Sequence, residues 1–133
     1  MELKVATSQN RELLDITESV ATLAVGLADG VALISAPHTT VALFVSEFDE
    51  GLRDVFLKIA DRLFEQARPF AHVRNNNPNT EAHVLSAMFG ASVSLPVAEG
   101  KLRLGAYQRI LLFELDGPKT RTVSFTHVGA ASG

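Results

Sequence analysis

The most constraining stretch of the chain is Ile110-Leu111-Leu112-Phe113-Glu114-Leu115. An apolar run of this length without alternation reads as a strand buried on both faces. One carboxylate, Glu114, interrupts it. A carboxylate in such a strand must be paired, neutralised or turned into a polar cavity. Arg121, just beyond the turn Asp116-Gly117-Pro118-Lys119, is the candidate partner. Two arrangements are open: a structural ion pair, or a pair that faces substrate. From Arg121 to Val128 the chain alternates strictly. Arg121, Val123, Phe125 and His127 share one face, and Thr122, Ser124 and Thr126 share the other. Two strand-like runs about one turn predict a β-hairpin.

Alternation also marks strands over Glu2–Ser8, loosely, and Ser92–Val97, and Leu102 and Leu104 continue the style; the short apolar run Val31–Ser35 fits a buried strand, and Val41–Val45 reads as another. Three helices complete the reading. Thr17 caps one that runs to about Ala28. Asp49 caps a long one to about Ala67, where Leu52, Val55, Phe56, Ile59, Leu63 and Phe64 form an apolar stripe and Pro69 limits the end. Thr80 caps a short one from Glu81 to Phe89, closed by Gly90. Residues 70–79 read as loop, and 129–133 as a frayed end. With few helices and no strand–helix–strand rhythm, the expected class is α+β: one compact domain over 1–133, mainly antiparallel sheet, with a long and two shorter helices.

Composition limits what this domain does. Twelve basic and fifteen acidic side chains leave a charge of −3 over 133 residues, and 47% of residues are hydrophobic. Such a chain buries a core of its own and lacks the basic footprint of a nucleic-acid binder. No apolar stretch approaches the ~20 residues that span a bilayer. No cysteine is present, so thiolate metal sites, disulfides and cysteine nucleophiles are excluded, and a reducing cytoplasm is the expected compartment. Walker loops, dinucleotide-binding glycine patterns and Gly-x-Ser-x-Gly elbows are missing.

The polar residues that fit a bland core least well are histidines and acids. His38, His72, His83 and His127 lie 34, 11 and 44 residues apart, which matches no local metal motif. Imidazoles suit zinc, and three of them leave a position open for water or substrate. Ser86 and Ala87 share the helical face of His83 and leave space beside its ring. Glu47 ends the apolar run Val41–Val45, and strand parity points it away from His38. Asp54 lies off the apolar stripe of the long helix, as a solvated first-turn acid would.

These residues form an ordered series. His38-Thr39-Thr40-Val41-Ala42-Leu43, then Glu47 and Asp54, resembles the YjbQ family, also described as the secondary thiamine-phosphate synthase family. The resemblance continues through His72, Ala82-His83, Gly90-Ala91-Ser92, Pro96-Val97 and Gly100-Lys101-Leu102-Arg103-Leu104-Gly105. It ends on Tyr107-Gln108, Glu114 and Asp116-Gly117-Pro118-Lys119-Thr120-Arg121. Tyr107 stands where the family has Trp, which keeps an aromatic wall. Lys119 stands for Arg, which keeps charge but loses the bidentate fork. Pro78-Asn79 stands for Gly-Asn, with Thr80 and Glu81 before Ala82-His83.

The resemblance implies an α+β domain of antiparallel sheets, a homotrimer, a polar pocket near His-Thr-Thr and a divalent metal, zinc or magnesium. It implies a small phosphorylated metabolite as partner, with neither nucleic acid nor membrane. In some members it implies thiamine-phosphate synthesis, which joins hydroxymethylpyrimidine diphosphate to thiazole phosphate. The expected site has His38, His72 and His83 as metal ligands or pocket residues. Glu47, Asp54, Gln108 and Glu114 are its catalytic or orienting groups. Thr39, Thr40, Lys119 and Arg121 bind substrate. Two other readings stand beside it: a metal-dependent hydrolase at a three-histidine site, and a non-catalytic metabolite-binding trimer.

Overall fold

Strands of period two and helices of period 3.6 sort this chain into three layers. The computed structural model describes residues 1–70 and 79–130. In chain order the elements are β1 (Glu2–Ala6), β2 (Glu12–Asp15), α1 (Thr17–Ala24), β3 (Gly30–Ser35), β4 (Val41–Ser46), α2 (Glu50–Arg62), α3 (Thr80–Phe89), β5 (Ser92–Ala98), β6 (Lys101–Leu102), β7 (Arg109–Glu114) and β8 (Thr120–Gly129). One sheet has the order β1-β8-β3-β5-β6 and the other β2-β7-β4, with every pair antiparallel. The α+β class and the three helices match expectation.

The smaller sheet is the middle layer. One face, with Val41, Leu43, Ile110 and Leu112, packs on Ala32, Ile34, Leu95, Val97, Val123 and Phe125 of the larger sheet, and α1 adds Ile16, Val20 and Ala24. The other face, with Ala42, Leu111 and Phe113, packs on Ala60 and Phe64 from the α2 segment and on Ala82 and Leu85 of α3. Phe44 and Phe89 stack with ring centroids 5.2 Å apart at that second contact. β7 is therefore covered on both sides, as its unbroken apolar run requires.

The expected hairpin of β7 and β8 does not form. β7 pairs with β2 and β4, whereas β8 pairs with β1 and β3. Alternation determines which residues face inward but not which strand lies alongside. The turn instead carries the chain from one sheet to the other. Gly117 makes this crossing: a Cβ there would lie 2.4 Å from the Gln9 carbonyl and 2.7 Å from Cγ of Glu114. Its amide donates to the Asn10 carbonyl at 3.0 Å.

Glu114 and Arg121 meet across that crossing, between the sheets, at 0% and 3% exposure. Arg121 Nε donates to Glu114 Oε1 at 2.9 Å, and its Nη2 donates to the Thr40 carbonyl at 3.0 Å and to Thr40 Oγ1 at 2.9 Å. Thr7 Oγ1 donates to Glu114 Oε1 at 2.7 Å. Burial pushes the Glu114 carboxyl up, but hydrogen bonds from Arg121, Thr7 and the Asp116 amide outweigh it and hold the group below its ordinary 4.5. The pair thus contributes stability above pH 4.5 that is lost as the pH falls through the lowered value.

Three local expectations shift. β2 falls in a stretch whose polar neighbours conceal it. α1 starts at Thr17 itself, because the Asp15 carboxylate accepts from the Thr17 amide at 3.0 Å and takes the capping role. α2 is capped by Asp49, whose Oδ1 accepts from the Leu52 amide at 2.7 Å, but it ends at Arg62 and not at Ala67. Its apolar stripe is split. Phe56, Ala60 and Phe64 pack on the sheet, while Val55, Ile59 and Leu63 remain about half exposed.

Replacing Arg121 by Met should leave the Glu114 carboxylate buried without its counter-charge and cost about 3–5 kcal/mol in urea unfolding. The double variant Glu114→Leu/Arg121→Met should recover most of that loss. A single variant within about 0.5 kcal/mol of the parent would show that the pair is not the bolt between the sheets.

Candidate functional site

Three short segments enclose an open groove of about 450 Å³, lined by His38, Thr39, His83, Ser86, Ala87, Gly90 and Ala91. One wall is the turn between β3 and β4. Pro37 ends the β3 ladder, and the His38 amide donates to the Ala36 carbonyl at 2.8 Å. The other wall is α3. Ser86 Oγ donates to the Val41 carbonyl at 2.7 Å, which fixes the helix on β4. The floor is the α3–β5 connection. Gly90 has φ +87°, a left-handed value that favours glycine. Its carbonyl accepts from the Leu43 amide at 2.9 Å, and the Ala91 carbonyl accepts from the Ala36 amide at 2.8 Å.

The start of α3 is held by charge. Glu81 accepts from Arg68 Nε at 2.8 Å and from Arg11 Nη2 at 3.0 Å. The Arg68 hydrogen bond, opposed by burial and aided by Arg11, keeps the Glu81 carboxyl below its ordinary range. His83 lies two residues on and faces the groove with Ser86 and Ala87, as the helical spacing predicts.

His38 is fixed through its ring. The Thr122 backbone N–H donates to Nε2 at 3.0 Å. The β3–β8 ladder stops at Ser35 opposite Ser124, and His38 satisfies the next inward-facing amide. Burial, then the Arg121 and Lys4 cations, push the imidazole below the ordinary 6.5, against the opposing Glu114 carboxylate.

The other expected residues are distributed as follows. Thr39 lines the groove, while Thr40 is buried and committed to Arg121. Glu114 and Arg121 are buried with each other, and Arg121 Nη2 also holds Thr40 in the turn that carries His38 and Thr39. Lys119 pairs with Asp116 at 3.0 Å in the sheet-crossing turn. Glu47 is exposed at the far end of β4, six residues of strand or about 20 Å from the Thr40 end. Gln108 lies at that far end too, beside Arg109, with Oε1 accepting from the Gly105 amide at 2.7 Å. Asp54 is exposed on α2. Within one chain these three stand apart from the groove. His72 lies outside the described residues.

Among the described residues, no three His, Cys, Asp or Glu side chains gather as a metal would need. His38 Nε2 is already engaged. Of the three expected metal ligands, the described residues include two, His38 and His83, and both line the groove.

A family model described as UPF0047 protein YjbQ-like matches residues 1–130. The chain belongs to the YjbQ/UPF0047 family. The family member from Archaeoglobus fulgidus is 41% identical over 123 residues, 92% of this chain and 96% of the relative. YugU of Bacillus subtilis is 36% identical over 132 residues, 96% and 97% of the two chains. A hypothetical protein from Aeropyrum pernix has a similar crystal structure, with TM-score 0.90, 32% identity and 98% coverage of both chains. A YbjQ-like protein of unknown function from Sulfolobus solfataricus gives TM-score 0.89 at 33% identity, with 98% and 96% covered.

The His38 ring makes a pH prediction for this YjbQ-family chain. A lowered folded value means that stability is complete above pH 6.5 and is lost as the pH falls through the lowered value. His38→Gln retains an acceptor for the Thr122 amide without titrating. The difference in unfolding free energy between parent and variant should be flat above pH 6.5 and move against the parent below it. A difference that is flat down to pH 5 would remove the argument.

Proposed function

We propose that this protein is a small-metabolite transferase whose phosphorylated substrate enters the groove between His38 and His83, and that its reaction is thiamine-phosphate synthesis. Hydroxymethylpyrimidine diphosphate would give up its carbon to the thiazole nitrogen, and pyrophosphate would leave. The observation that supports this reading best is the shared groove itself, which gathers two of the awkward histidines with Thr39 under the field of Arg121 and Lys4. Displacement of a diphosphate asks for charge neutralisation at the leaving group more than for a general base. Magnesium would enter with the diphosphate as part of the substrate, since hard oxygen ligands suit it.

We further propose that the working form is a homotrimer in the cytoplasm. Its support is the outer face of the larger sheet, where Val31, Leu33 and Val128 are 45%, 41% and 65% exposed among Ser94, Pro96 and Thr126, with charge only toward the edges, at Glu2 and Lys4 of β1 and Lys101 of β6. A second copy is the occupant that suits a sheet face with an apolar centre and a charged edge in a small chain. His38 and Ala91 lie just past Ser35 and Ser92 at one end of that face, so a neighbour seated there would deepen the groove. A chain without cysteine suits a reducing compartment. Among the described residues, no helix is long and apolar enough to cross a membrane.

With both precursors and magnesium, the purified protein should form thiamine phosphate, and His83→Ala should lower kcat/KM by about tenfold or more with the fold intact by circular dichroism. Precursor binding without product would leave a metabolite-binding protein. An unchanged rate in the variant would detach the activity from the groove. Leu33→Asp should convert the trimer to monomer in light scattering, and an unchanged mass would exclude that face.

A further inference from the structure

The bond between Thr122 and His38 determines more than the position of a ring. A backbone N–H is a permanent donor, so the nitrogen it meets must carry a lone pair. The Thr122 amide donates to Nε2 at 3.0 Å, and the neutral imidazole must then hold its proton on Nδ1. Nδ1 has no hydrogen-bond partner among the described residues, and no buried side-chain nitrogen or oxygen is unpartnered there. Nδ1 is therefore open to solvent, on a residue that lines the groove. The ring cannot exchange these roles, because an Nε2–H tautomer would set two donors against each other at that distance. The surroundings suit an acceptor. Arg121 and Lys4 are the cations that act on the ring, and the opposing Glu114 carboxylate is engaged by Arg121 and Thr7. Neither nitrogen of this tautomer offers a lone pair to a metal ion.

We propose that His38 serves the groove as a neutral, tautomer-locked Nδ1–H donor to an anionic oxygen of a phosphorylated ligand, and not as a metal ligand. The proposal rests on the reading that the groove holds a phosphorylated substrate, and it assigns the part of that substrate which meets His38. His38 is a binding residue whose correct nitrogen is selected by the β8 backbone.

Long-range proton–nitrogen NMR on the full chain at pH 7.5 tests the tautomer directly. The expected spectrum has a protonated Nδ1 and a bare Nε2, unchanged by zinc or magnesium alone. Inorganic pyrophosphate, the probe, should shift the Nδ1 signal saturably. His38→Gln, whose amide oxygen replaces Nε2 but leaves no donor at Nδ1, should bind pyrophosphate about tenfold more weakly or worse. A protonated Nε2, loss of the Nδ1 proton on zinc addition, or equal pyrophosphate binding in His38→Gln would each overturn the assignment. Absence of any saturable pyrophosphate effect would overturn the ligand class. These outcomes separate from the synthase reading. Pyrophosphate binding through His38 without thiamine-phosphate formation removes only the synthase. Undiminished synthesis in His38→Gln removes only this assignment.

Discussion

Glu114 and Arg121 meet between two sheets that share no strand, and most of what positions the groove can be traced to that meeting. An ion pair without solvent tolerates little displacement, because each partner left alone carries the full penalty of a buried charge. Glu114 belongs to the middle layer and Arg121 to the outer sheet, so their contact sets how the layers sit on each other. The guanidinium continues to both oxygens of Thr40. The turn that carries His38 and Thr39 is in this way tied to the junction of the sheets. Glu114 and Arg121, which stand out most in the sequence, thus bond to each other beside the groove whose wall they hold.

The groove is made from backbone as much as from side chains. Ser86 fastens α3 to a carbonyl of β4, and the Gly90 and Ala91 carbonyls close the gap between helix and strands. Thr122 contributes its amide to His38 and a hydroxyl that accepts from Lys4 Nζ at 2.6 Å. Such a site is preorganised: its donors are presented by elements whose own hydrogen bonds are already satisfied. Charge is supplied from a distance by Arg121 and Lys4, while imidazoles, hydroxyls and small side chains line the surface that a ligand would touch.

Much of the architecture was legible in residue order. Inward and outward faces of β5 and β8 follow from alternation, and the double burial of β7 follows from its unbroken apolar run; β3 reads as buried too, but Val31 and Leu33 on its outer face are exposed. The partner of β8 was not legible, because period two specifies a face and says nothing about which strand lies beside it. β2 was concealed because four residues with polar neighbours show too little periodicity. On α2 the apolar stripe was visible, but not that only its Phe56–Ala60–Phe64 row meets the sheet. At the site, His38 and His83 could be singled out by type, and Ser86 and Ala87 by helical spacing. That His38 answers the Thr122 amide depends on where the β3 ladder stops relative to β8, eighty-four residues away. Glu47 and Gln108 were grouped with it by order along the chain, whereas antiparallel pairing of β4 and β7 carries them to the opposite end.

The double cover of β7 has a consequence for how the molecule comes apart. Its amides bond to β2 and β4, and its side chains are enclosed by α2 and α3 on one face and by the larger sheet on the other. Water reaches that strand only after both neighbouring layers have let go, so its exchange with deuterium tracks complete unfolding. α3 covers one side of it through Ala82, Leu85, the Ser86 hydroxyl and a cluster of aromatic rings. The strand that carries Glu114 is thus the last part of the fold to meet water.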